Sequence, residues 1–426
     1  MDCVLYDVVT VGSATVDVFA KTESELVKFV SSDGEKDFIA YPSGSKLLIS
    51  DLQFLIGGGG TNTAVAFSRL GFKTGYIGKI GNDENGQKVL DILNKENIDF
   101  LGKQEGQTGY SIILDSIEED RSILTYKGAN NELKKDDVDI SSLQGKWLYS
   151  SSMVEESFET LKYIFEKAKQ NGMKVAFNPS NYQAKLGFEA LKDVLSNVDV
   201  LILNLEEAKL LVGNEHLHEQ EIAPKLIQHA DDIIIITDGP RGATAYSKKQ
   251  FYHITPSPHL KVIETTGAGD AFSSGFIAGL LRRYTIEDAL KLGMVEAESA
   301  ITNKGAKNGL LQKEESFRHL GSFKGVVKSY TPSNQTNTVL PRAEPHHSFK
   351  LNDGTVIHSL QELDHAIKVM SDDTFRHHVY EGTNHFSNWI LDVFGLSELS
   401  ERVKLSTTKI ALRVVLNDYA QKLRKS

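Results

Sequence analysis

Short β-branched apolar runs alternate along this chain with longer segments whose apolar residues recur at helical spacing. The runs predict strands at 4–11, 74–79, 147–151, 174–177, 199–203 and 232–237. The 3.6-residue period predicts helices at 61–70, 84–96, 155–171, 183–195, 205–212, 269–283 and 286–303. Val200-Leu201-Ile202-Leu203 and Ile233-Ile234-Ile235-Ile236 contain no polar residue. Such runs suit strands buried on both faces of a parallel sheet. Strand–helix alternation of this kind gives a doubly wound α/β fold.

Two regions break the alternation. Residues 17–56 hold strand-like pieces at 37–41 and 46–50, separated by Pro42-Ser43-Gly44. Residues 110–126 read as a hairpin turning near Glu118-Glu119-Asp120. Strands without helices beside them predict a small second sheet, a lid formed from about 17–56 and 108–126. Residues 330–347 carry Pro332, Pro341 and Pro345 among Ser, Asn, Thr and Gln, which is linker composition. Beyond it, a hairpin is expected over Phe349–Ile357, turning at Asp353-Gly354. Ser359-Leu360-Gln361-Glu362 is a capping box opening a helix to about Met370. Further helices are expected at 373–380, 384–394, 397–403 and 407–424. The chain therefore divides into a domain at 1–328, a linker at 329–347 and a small mainly helical domain at 348–426.

The length of 426 residues suits one large α/β domain plus a smaller one. A net charge of −10 argues against binding nucleic acid or an anionic membrane through bulk charge. Cys3 is the single cysteine, so no disulfide framework or thiolate zinc site is expected. No apolar stretch approaches membrane-spanning length, and the start runs into a strand pattern with no signal-like segment. A cytoplasmic, reducing location is the expectation.

The richest stretch chemically is Glu264-Thr265-Thr266-Gly267-Ala268-Gly269-Asp270, which leads into an apolar helical run. It places free backbone N–H groups at a helix N-terminus, where the dipole favours anions, with a carboxylate beside them. An anion cradle next to a base is what phosphoryl transfer to a hydroxyl requires. Other pieces fall after strands as well. Gly57-Gly58-Gly59-Gly60 lets backbone approach a ligand or flex, and Asn62 follows it. The glycines do not form a dinucleotide fingerprint, and the chain has no P-loop. Asp17 follows the first strand, where open α/β sheets bind ligands. Asn204 is a good helix N-cap, with Glu207 one turn inside, placed to hold a water-coordinated Mg2+. Thr237-Asp238-Gly239-Pro240-Arg241-Gly242 is a turn whose backbone could lie along nucleotide phosphates.

Together these stretches resemble the ribokinase, or PfkB-type, carbohydrate kinase family. Gly57–Asp99 and Glu264–Leu281 look like the family's two signatures, in the right order. Between them lie Thr108–Leu114, Lys127-Gly128-Ala129-Asn130, the N-x-x-E motif and T-x-G-x-x-G. The resemblance covers about 1–315. It implies a ribokinase-like three-layer α/β/α sandwich with a small β-sheet lid, to which the mainly helical C-terminal domain is an addition. It also implies transfer of the ATP γ-phosphate to a hydroxymethyl group of a free sugar or nucleoside.

By position, the resemblance makes Asp270 the general base, for which an ordinary aspartate pKa is adequate, and Gly267, Ala268 and Gly269 the anion hole. It assigns Asn204 and Glu207 to the Mg2+–phosphate end. Thr237, Gly239 and Gly242 line the nucleotide, with Asn303 near the adenine. Asp17, Gly58 and Asn62 hold the acceptor, and Gly57-Gly58 form the lid hinge. Glu264 stands where Asp is usual, near the site where many members bind K+, which puts K+ activation in question. Leu203 before Asn204 departs from the Lys-Pro-Asn of sugar-phosphate kinases. The expected partner is a small-molecule sugar or nucleoside, with no nucleic acid and no membrane. Homodimerisation through the lid is the one candidate protein contact.

The competing reading from another class is a catalytically silent sugar- or nucleotide-binding protein on the same fold. Intact Asp270 and Gly267-Ala268-Gly269 speak against it. The C-terminal module holds seven of the thirteen histidines, including His346-His347 and His377-His378. Adjacent histidines on a helix point apart, so one shared metal is not expected there. Phe375, Phe386, Trp389, Ile390 and Phe394 read as that module's own core.

Overall fold

A computed structural model describes residues 5–22, 26–31, 34–39, 43, 44, 46, 48–115, 121–214, 217, 219–227, 233–247, 250–330, 343–380 and 383–423. The expected turn at Glu118-Glu119-Asp120, Pro332 and Pro341 of the linker, and parts of the 37–41 and 46–50 pieces lie outside them. The chain folds as two compact units, Met1–Ser329 and Tyr330–Ser426.

The apolar runs form the middle of a ten-stranded sheet in the first unit. Its order is Val327–Tyr330, Phe251–Ile254, Ala243–Ser247, Ile233–Thr237, Val200–Asn204, Lys174–Phe177, Gly145–Ser150, Tyr6–Val11, Thr74–Ile77, Asp99–Phe100. Strands from Ile233–Thr237 to Asp99–Phe100 pair in parallel. Successive side chains of a strand point to opposite faces. Accordingly Leu201, Leu203, Ile234 and Ile236 join a core with Phe165 and Phe177. Val200, Ile202 and Ile235 join a second core with Phe272 and Phe276. Helices cover both faces, which completes the three layers. Full burial of a side chain such as Phe276 contributes about 1.5–3 kcal/mol.

The structure differs from the sequence reading at several places. The sheet is not wholly parallel, because Ala243–Ser247 and Phe251–Ile254 add in antiparallel sense. Their mixed composition hides them from a search for apolar runs. The expected helix 183–195 is two helices, Asn181–Ala184 and Gly187–Leu195, and Gly187 at φ 76° breaks the path between them. The expected helix 373–380 ends at His378, and Val379–Tyr380 pairs with Thr383–Asn384.

A second sheet has the order Arg121–Tyr126, Gly109–Asp115, Thr15–Thr22, Ile49–Gly57. Its register sets Thr15 opposite Gly57 and Asp17 opposite Leu55. The strand bearing Asp17 leaves the first strand of the main sheet after three residues, so the second sheet stands over the carboxyl ends of the main strands. The second unit packs Leu363, Ile367, Phe375, Phe386, Trp389 and Leu412 around its own core, with Phe394 against the edge.

Candidate active site

Two helix N-termini meet above the sheet. One belongs to the helix Gly59–Arg69 and the other to the helix Ala268–Leu281. Each follows a glycine with positive φ, Gly58 at 94° and Gly267 at 80°. Neither glycine tolerates a side chain. A Cβ on Gly58 would lie 2.4 Å from the Ser13 carbonyl oxygen, and one on Gly267 would lie 2.5 Å from the Ala306 Cβ. The turns are tight because the backbone has to double back at the sheet edge. Gly269, by contrast, has open space where a side chain would be. Ala268 N donates to Thr265 O at 3.2 Å, so the open approach to the first turn of Ala268–Leu281 lies at Gly269, where an anion could come close.

Asp270 stands beside that approach. Its Oδ2 accepts from Asn62 Nδ2 at 2.8 Å, which links the two helices. Its Oδ1 lies 3.4 Å from the Cβ position of Gly59, close to Ser151. Burial pushes the Asp270 carboxyl up to about 6, while the Asn62 amide and the Lys307 ammonium hold it down. That lies above the ordinary aspartate value, which phosphoryl transfer would already accept. A base near neutrality takes a proton more effectively at physiological pH. Tyr149 lies below, its phenol held well above its usual range by burial and then by Asp270.

Asp17 and Gly57 touch. A Cβ on Gly57 would fall 1.8 Å from Asp17 Oδ2, so the glycine makes room for that carboxylate at the sheet junction. Asn204 and Glu207 form a reciprocal cap: Glu207 N donates to Asn204 Oδ1 at 2.8 Å, and Asn204 N donates to Glu207 Oε2 at 2.9 Å. Glu207 is buried, and burial pushes its carboxyl up to about 7. A buried carboxylate at the end of a main-sheet strand could hold a hydrated Mg2+.

Asn204 pairs in register with Thr237 on the neighbouring strand, and the 239–241 turn follows. Gly239 is open to approach, whereas Gly242 at φ 100° abuts the Ile254 carbonyl. Asn303 turns its amide back onto Ser299 O and Thr302 Oγ1 at its own helix end. The buried Glu264 accepts from Gly305 N at 2.8 Å, tying the strand side to the 305 loop.

The structure thus brings Asn62 and Asp270 into direct contact, sets Asp17 against Gly57, and aligns Asn204 with Thr237. Sequence reasoning missed Lys307. Its Nζ donates to Ile56 O at 2.7 Å, Thr61 Oγ1 at 3.0 Å and Asn62 Oδ1 at 2.5 Å. A lysine in a Gly-rich loop reads as solvated, and no local pattern marks it as buried. Arg69 went unnoticed for the same reason. It donates to Lys307 O at 2.7 Å and pairs with Glu96.

The Ala268–Leu281 N-terminus, the raised Asp270 carboxyl and the second sheet all lie at one edge of the main sheet. The model of the pfkB family of carbohydrate kinases matches residues 7–313, and the chain belongs to that family. It is 30% identical to a ribokinase of Haemophilus influenzae over 65% of this chain and 91% of that one. It is also 30% identical to an uncharacterized sugar kinase of Archaeoglobus fulgidus, over 58% of this chain and 98% of that one. A ribokinase structure from Thermotoga maritima superposes with a TM-score of 0.60 at 23% identity, covering 74% of this chain and all of that one. The chain is therefore a carbohydrate-type kinase with the ribokinase fold, and the family match ends before the second unit. Among the described residues no helix is long and apolar enough to cross a membrane.

Proposed function

We propose that this protein transfers the γ-phosphate of ATP to a hydroxymethyl group of a free sugar or nucleoside. The observation that carries this reading is Asp270, held by Asn62 beside the open N-terminus of Ala268–Leu281. The acceptor oxygen bonds to the γ-phosphorus and its proton passes to Asp270. The β,γ-bridging bond breaks and its electron pair leaves on ADP. Backbone N–H groups of Gly267, Ala268 and Gly269 stabilise the charge on the transferring group. Asp17, Gly58 and Asn62 orient the acceptor, while Thr237, Gly239 and Gly242 lie along the nucleotide, with Asn303 on its adenine side. Glu207 and Asn204 would hold Mg2+ through water, and the ion would neutralise phosphate charge.

The second sheet acts as a lid hinged at Gly57-Gly58. Its exposed Leu52, Phe54, Ile123, Leu124 and Tyr126 support lid-to-lid homodimerisation. ATP use and the lone cysteine support a cytoplasmic location. Glu264 remains the candidate contact for K+.

The test is an acceptor screen with ribose, fructose, adenosine and other nucleosides, with and without K+. Turnover of one acceptor class supports the reading. Binding of a sugar or nucleotide without turnover of any acceptor overturns it in favour of a silent binding protein. Sedimentation of the wild type against Phe54→Glu tests the dimer.

A further inference from the structure

Lys307 sits in the loop between the helices Ile286–Ile301 and Lys313–Ser322, with 8% of its surface exposed. An ammonium has three N–H donors and no acceptor. All three donors find oxygens: Ile56 O, Thr61 Oγ1 and Asn62 Oδ1. The loop cannot drift, because Arg69 clamps Lys307 O and Leu310 O from the same helix that carries Asn62.

The donor-only character of Lys307 has a directional consequence. Asn62 has to turn its amide oxygen toward Lys307, so its nitrogen faces Asp270. The reversed amide would set N–H against ammonium and oxygen against carboxylate. Asn62 Nδ2 is in turn a donor only, so the Asp270 Oδ2 that it meets accepts, and a proton placed on Oδ2 would make it the poorer acceptor for that bond. A proton taken by Asp270 then resides on Oδ1, the oxygen on the Gly59 and Ser151 side.

We propose that Lys307 is a positioning residue for phosphoryl transfer: acting through Asn62, it keeps Asp270 Oδ2 as an acceptor and leaves Oδ1 to take the proton of the acceptor hydroxyl. This rests on the reading of Asp270 as the base. The same ammonium holds Ile56, at the end of the lid strand Ile49–Gly57, so hinge and base share one anchor. The charged groups facing Lys307 are the Asp17 and Asp270 carboxylates, with Arg69 and Glu96 behind. Burial pushes its ammonium down against the pull of Asp17 and Asp270, and the three oxygens around Nζ favour the donor-only form. Asp270 faces Asn62, Lys307 and, from the sheet, Tyr149, with Glu207 beyond.

The test is Lys307→Met, which keeps the apolar stem and removes every donor. Two readouts are used: the acid limb of the kcat profile, and direct 13C NMR titration of the Asp270 carboxyl. The NMR titration does not depend on turnover. The expected result is an Asp270 pKa raised by about half a unit or more and kcat lowered about tenfold or more, with the KM for ATP within about twofold. Lys307→Gln restores one donor to Asn62 and should recover part of kcat. Should Lys307→Met not fold, Asn62→Leu removes the relay with Lys307 in place and should raise the Asp270 pKa likewise. An unmoved Asp270 titration in the folded variant overturns the inference, even where kcat falls. Wild-type protein that phosphorylates no acceptor refutes the kinase reading instead, whatever the titration shows.

Discussion

Replacing Asp270 by asparagine isolates the base from the rest of the site. The new side chain keeps an oxygen for the Asn62 amide, so the bridge between the two helices survives. The cradle of Gly267, Ala268 and Gly269 is backbone and does not change. What disappears is the carboxylate oxygen that the proposed mechanism uses to take the proton. Loss of a general base typically costs about 10²–10⁴-fold in kcat, which is about 3–5 kcal/mol in the barrier.

The wild-type pH profile supplies a second magnitude. With the folded pKa near 6, the ionised fraction of Asp270 falls from about 0.9 at pH 7 to about 0.1 at pH 5. An aspartate at its ordinary 3.8 stays largely ionised over that interval. Steady-state kcat at saturating substrates should therefore drop about ninefold between pH 7 and pH 5, with ATP affinity nearly constant. Stability moves the opposite way. A carboxyl whose pKa is raised on folding contributes stability that is full below its unfolded value and is lost as pH rises through about 6. Asp270→Asn should accordingly melt higher than wild type at pH 8 while being the poorer enzyme. A variant that keeps about a tenth of wild-type kcat, or a wild-type profile flat to pH 5, removes Asp270 as the base.

Four further outcomes are expected. Glu207→Gln keeps the helix cap through its amide oxygen but loses the buried charge, so a Mg2+ titration at fixed ATP should need about 10–100-fold more metal. Gly57→Ala drives a Cβ into the Asp17 carboxylate and should lower kcat/KM for the acceptor about 10²-fold, with the KM for ATP unchanged. In the second unit, Phe386→Ala opens a fully buried site and should cost about 3–5 kcal/mol, read by calorimetry as an early transition that leaves kinase activity intact. Truncation after Tyr330 should likewise leave turnover unchanged, and an inactive truncated chain would show that the units are coupled.

The bulk of the kinase unit is written in local signals. Val200–Leu203 and Ile233–Ile236 are apolar at every position because both faces of their strands are covered. Asn204 and Glu207 announce a helix start three residues apart, and they cap each other as that spacing requires. Gly267-Ala268-Gly269-Asp270 marks the start of the helix Ala268–Leu281, because glycine and a helix start are both visible locally. The antiparallel strands Ala243–Ser247 and Phe251–Ile254 are less legible, since both are short and set Thr, Ser or His among their apolar residues. Gly187 splits a helix whose period continues across it, because periodicity does not report φ.

The sequence by itself determined the layers, the family signatures and the residue types at the site, since each depends on neighbours along the chain. Only the tertiary structure decided how those residues act on one another. Asn62 and Asp270 are 208 positions apart and share a hydrogen bond. Lys307 reaches Asn62 across 245 positions, and it is this contact that orients the amide. The Asp270 pKa follows from burial and from charges brought in by other segments, which no local pattern contains. Reactivity here is a property of the assembled neighbourhood, because desolvation and hydrogen-bond direction exist only once distant segments have packed.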